Sequence, residues 1–74
     1  MERPVFDYSK LRGRIIEKFG SYGAFYNAIG WTRATASNRM TSKAFFTQPE
    51  IVMACKMLEI QPENVTEYFF NQKL

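Results

Sequence analysis

The chain has 74 residues, of which 46% are hydrophobic and 16% aromatic, with ten basic residues against seven acidic ones and no histidine. That length holds one domain, which buries about 60% of the surface its unfolded chain would expose, and that composition argues against wholesale disorder. With no histidine and Cys55 as the single cysteine, there is no internal disulfide, no ordinary zinc or haem ligand set and no imidazole base for a Ser or Cys nucleophile, so neither an enzyme nor a cofactor is expected.

Caps, glycines and prolines divide residues 1–74 into five short helices, giving an all-α fold class, a compact bundle. The first is expected near 8–19: Asp7 is a good N-cap, and Tyr8, Leu11, Ile15 and Phe19 share one face at spacings of three and four before Gly20 stops the helix. Gly13 in its interior costs helicity, which points to close packing there. The second is expected near 22–29, capped by Ser21, with Phe25, Ala28 and Ile29 facing inward and Gly30 as its left-handed stop.

Trp31 fills the turn that follows as a core residue, and Thr32 caps a third helix near 33–41 whose inward positions are Ala36 and Met40. "TQPE", residues 47–50, has the form of a capping box and opens a fourth helix near 48–58, with Ile51, Ala54, Cys55 and Leu58 as its buried stripe. Cys55 therefore reads as a packing thiol. A fifth helix near 62–70 starts at Pro62 behind the weak cap Gln61 and turns Val65 and Phe69 inward. Only the tips, 1–4 and 71–74, are expected to fray.

The segment "FYNAIGWTRATASNRM", residues 25–40, carries the functional signal. Two helices joined by a short glycine turn, the second rich in small polar and basic residues, form a helix-turn-helix pattern. A helix entering the major groove must offer hydrogen bonds to base edges and no negative charge to phosphates. No acid occurs from residue 18 to 49, and residues 1–43 hold eight basic against three acidic residues.

Together "DYSKLRGRIIEKFG", "AIGWTRATASNRM" and "TQPEIVMACKMLEIQPENVTEYFF" resemble the small lambda-repressor-like regulators of temperate bacteriophages, the Cro and repressor family. The likeness spans nearly the whole chain and is greatest to Cro-like proteins of phages of Gram-positive bacteria, among them antirepressors of lactococcal phages that modulate repression. It implies base contacts from Arg33, Ala34, Thr35, Ser37, Asn38 and Thr41. It also implies phosphate contacts from Arg39, Lys43, Ser21 and Tyr22, extended by Lys10 and Arg14. Tyr26 departs from the family pattern, which usually has alanine where the two helices cross.

Two adjacent phenylalanines in "KAFF", Phe45 and Phe46, cannot easily both be buried in so small a domain, and in "EYFF" an inward Phe69 leaves Tyr68 or Phe70 outside. These four are the candidate partner contacts. The expected function is transcription regulation in a lysis and lysogeny switch, Cro-like, by operator DNA binding through the third helix. The alternative is an antirepressor that forms a protein–protein heterocomplex with the cognate repressor. Partners are accordingly double-stranded DNA, that repressor and, as one option, a second copy in a homodimer. No apolar run is long enough for a membrane span and the start is not a secretory signal, so a cytoplasmic protein of the bacterial host cell is expected.

Overall fold

The computed structural model describes residues 4–73; expectations for 1–3 and 74 lie outside the described residues. The order is α1 (Ser9–Phe19), α2 (Tyr22–Ile29), α3 (Arg33–Met40), α4 (Gln48–Leu58), a 3-10 turn (Pro62–Asn64) and α5 (Val65–Phe69). Each boundary follows from local chemistry. Ser21, Thr32 and Thr47 each accept a hydrogen bond from the backbone N–H three residues on, and Glu50 completes the capping box by accepting from the Thr47 N–H. Gly20 and Gly30 close α1 and α2 at φ values of 80° and 85°, a region that glycine enters without steric cost.

Several details differ from expectation. Asp7 acts one residue outside α1: its carboxylate accepts from the Ser9 N–H at 2.9 Å, and Tyr8 occupies the N-cap position. Gly13 is exposed, and a Cβ built on it meets nothing within 4 Å, so no close packing accounts for it. Ala28 is exposed too, because α2 turns Phe25, Tyr26 and Ile29 inward; Tyr26 is drawn in by Trp31, whose ring lies 5.9 Å away. The first turn of the last helical segment is 3-10 rather than α, and Gln61 supplies no side-chain cap.

The core is built from Tyr8, Leu11, Ile15, Phe25, Met40, Ala54, Leu58, Ile60 and Phe69. Phe46 folds under the loop after α3 and meets Tyr8, Trp31 and Phe69 at ring separations of 5.2 to 5.5 Å. Aromatic pairs in this edge-on arrangement contribute about 0.5–1.5 kcal/mol beyond their buried area. Among the described residues no buried side-chain nitrogen or oxygen lacks a partner.

Residues 71–73, expected to fray, are docked instead. Asn71 accepts from the Asp7 N–H, the Lys73 N–H donates to Val5, both at 2.7 Å, and Phe6 faces Gln72 in an antiparallel bridge. The clasp continues to α3: the Phe6 N–H donates to the hydroxyl of Ser42, which is buried and held at φ 63°. Thus the two ends of the described chain meet beside the exit of α3. No described helix is long and apolar enough to cross a membrane.

Candidate recognition surface

The surface is centred on α3, which the Thr32 cap and the buried Ala36 and Met40 orient. With those two turned inward, Arg33, Ala34, Ser37, Asn38 and Thr41 are exposed together. Thr35 is half-buried, and its hydroxyl accepts a hydrogen bond from the Thr32 hydroxyl at 3.1 Å. The Thr41 hydroxyl donates its proton to the Ser37 carbonyl at 2.6 Å at the end of the helix and keeps its acceptor side open.

Most of the side chains expected to meet phosphate already have partners within the fold. Arg39 is 19% exposed and donates from Nε and Nη2 to the two oxygens of Glu50 at 2.8 and 3.2 Å. Burial alone would raise the Glu50 carboxyl, but bonds from Arg39, the Thr47 N–H and the Trp31 indole outweigh it and hold that carboxyl below its usual range. Arg14 donates to the Leu58 and Glu59 carbonyls at 2.8 and 3.1 Å, where it satisfies the open end of α4, and it also pairs with Glu17. Lys10 pairs with Glu67 and lies over the Tyr68 ring. The Ser21 hydroxyl caps α2, and Tyr22 stacks on Tyr26 with ring planes 18° apart. Lys43 is exposed and, like Arg33, has no partner among the described residues.

Arg12, which the sequence did not single out, donates to the Met40 carbonyl at 3.1 Å and sits 5.9 Å from the centre of the Tyr22 ring. It ties α1 to the last turn of α3 and the start of α2. Its local sequence resembles that of its neighbours Lys10 and Arg14, and only the packing of three helices distinguishes it.

The four partner-contact candidates divide. Phe46 and Tyr68 are both half-buried and pack against the core. Phe45 and Phe70 are 42% and 51% exposed and meet through Phe6, at ring separations of 6.0 and 6.3 Å. With exposed Val5 they form an apolar patch at the clasp, next to the carboxyl end of α3. Among the described residues no three His, Cys, Asp or Glu side chains converge as a metal site.

An all-α bundle in which two short capped helices meet at a left-handed glycine defines a small helical protein with one outward polar helix. The chain belongs to the family described as "Protein of unknown function (DUF739)", whose model matches residues 4–72. It is similar to the solution structure of the modulator of repression (MOR) of the temperate bacteriophage TP901-1 from Lactococcus lactis. The identity is 38% and the TM-score 0.79, over 89% of this chain and 89% of that one. No curated protein matches the chain.

Proposed function

We propose that this protein modulates repression in the lysis and lysogeny switch of a temperate phage by binding the cognate repressor directly, through the outward face of α3 and the aromatic patch at its end. The observation that carries this reading is the fate of the cations. Arg39, Arg14 and Lys10, all candidates for phosphate, are held by Glu50, by the end of α4 and by Glu67. What remains outward around α3 is polar and aromatic, with Arg33 and Lys43 as its free charges. Protein interfaces favour that mixture of exposed rings and arginine. Similarity to a phage modulator of repression supports the same role. No catalytic group or cofactor is needed for it.

The test is titration of the purified protein with its cognate repressor, followed by calorimetry and by co-elution on a sizing column. A stable complex is expected, and repressor bound to it should lose operator affinity.

A second reading, operator binding by a Cro-like helix-turn-helix, is favoured by one specific feature: α3 exposes Arg33, Ser37 and Asn38 with no acid among them. Arginine can bond guanine and asparagine adenine in the major groove. With Arg33 spent on a base, Lys43 is the free cation beside α3, and one phosphate contact per protomer gives a slope of log K against log salt of about −1 for each protomer bound. A gel shift across a salt series separates the readings: saturable operator binding without repressor supports the second.

A further inference from the structure

We infer that the hollow between α2 and the start of α3 is a socket for an acidic side chain of the repressor, with Arg33 as its charged anchor. This rests on the proposal that the protein binds a repressor. The hollow, of about 410 Å³, is lined by Gly23, Tyr26, Asn27, Trp31 and Arg33.

Its walls are fixed. The Trp31 indole donates to Glu50 Oε2 at 3.1 Å, Tyr26 packs against Trp31, and Tyr22 stacks behind Tyr26 at 6.4 Å. A site whose rings are already held loses little freedom on binding. Arg33 stands alone in this setting. Arg12, Arg14 and Arg39 are each bonded within the fold, whereas Arg33 has no partner among the described residues. Glu50, the acid nearest in sequence on the carboxyl side, has both oxygens occupied by Arg39, Thr47 and Trp31.

Gly23 keeps the hollow open. It lies inside α2 without a positive φ, and a Cβ there meets nothing within 4 Å, so neither backbone conformation nor packing demands a glycine. A side chain at that position would project into the space that Tyr26 and Arg33 border. Tyr26, the departure from the usual small residue, supplies one wall.

A carboxylate on a short apolar stem fits these surfaces. The stem lies against the two rings, the carboxylate takes a two-pronged bond from the guanidinium, and Asn27 offers an amide donor beside it. A nucleic-acid backbone, with charges along its length, would call for several cations, and Lys10, Arg14 and Arg39 are committed elsewhere.

The experiment is calorimetric titration of the cognate repressor with the wild type and with the Arg33→Ala, Arg33→Glu and Gly23→Leu variants, all checked for native circular dichroism. Arg33→Ala should weaken the complex roughly ten- to a hundredfold, the range for losing a charge-assisted bond. Gly23→Leu, with Arg33 intact, should weaken it as well. Replacing one particular Asp or Glu of the repressor by Lys should restore binding to Arg33→Glu. Wild-type affinity in both Arg33→Ala and Gly23→Leu overturns the socket while leaving repressor binding intact. Loss with Arg33→Ala that no acidic replacement in the repressor reproduces also overturns it. A wild type that never binds the repressor removes the socket together with the reading beneath it. Operator binding that Arg33→Ala then abolishes would assign the hollow to phosphate.

Discussion

Arg39 and Trp31 share one carboxylate: Glu50 accepts two bonds from the Arg39 guanidinium and one from the Trp31 indole, joining the turn before α3, the last turn of α3 and the first turn of α4. Because Glu50 also closes the capping box of α4, the tilt of the outward helix and the start of its successor depend on the same side chain. Glu50→Ala should therefore cost about 2 kcal/mol, the scale of losing partly buried charged bonds. In a thermal melt followed by circular dichroism, that is a drop of roughly 10 °C for a domain of this size.

Acid should act through the same group. The folded-state carboxyls of Glu50, Asp7 and Glu59 are all held below their usual values. For Glu50 the bonds from Arg39, Thr47 and Trp31 overcome the opposing effect of burial; for Asp7 the cause is bonding from Ser9, and for Glu59 pairing with Lys18. A depressed carboxyl contributes stability that is complete above its unfolded value and is lost as pH falls through its folded value. With no histidine in the chain, melting temperature should stay flat across neutral pH and fall below the ordinary carboxyl values of 3.8 to 4.5. Melts from pH 2.5 to 8 check this.

Gly13→Ala should stabilise the protein by about 0.5–1 kcal/mol. The position is helical and exposed with open space around it, so alanine gains helix propensity without a clash. Urea unfolding with an unchanged m-value and a higher midpoint is the expected result.

Arg14→Ala should cost about 1 kcal/mol by leaving the Leu58 and Glu59 carbonyls without their donor. Binding of either repressor or operator should be unchanged once the folded fraction is accounted for. A selective loss of operator affinity would return Arg14 to phosphate contact.

Phe46→Ala should cost about 3 kcal/mol, because the ring fills the centre of an aromatic cluster. Phe45→Ser and Phe70→Ser, one chain neighbour away and at the clasp, should leave the melting temperature within a few degrees and weaken the repressor complex. Paired melts and titrations separate the two classes of phenylalanine.

These contrasts locate what the sequence made legible. Helix ends could be read because a cap and its amide lie within three residues, as at Ser21, Thr32 and Thr47. Inward faces were legible for the longer helices, but α2 has eight residues, and on so short a helix Tyr26 and Ala28 flank the Phe25 and Ile29 stripe on opposite edges, so the spacing alone does not fix which edge turns inward. Trp31, beyond the helix, decides in favour of Tyr26. Arg39 looked free because no acid precedes Glu50 after residue 17, yet the loop folds back and brings Glu50 to it across eleven positions. The docking of residues 71–73 against the start of the chain has no local signature at all. Bonds between distant segments follow from the packing of the whole bundle.

Trp31 is the sole tryptophan of the chain, and it touches both the core, through Phe25 and Phe46, and the hollow beside Arg33. Its ultraviolet emission is consequently a built-in optical gauge that needs no dye: unfolding exposes the indole to water, whereas a guest lodged against it alters the spectrum while the helices stay intact.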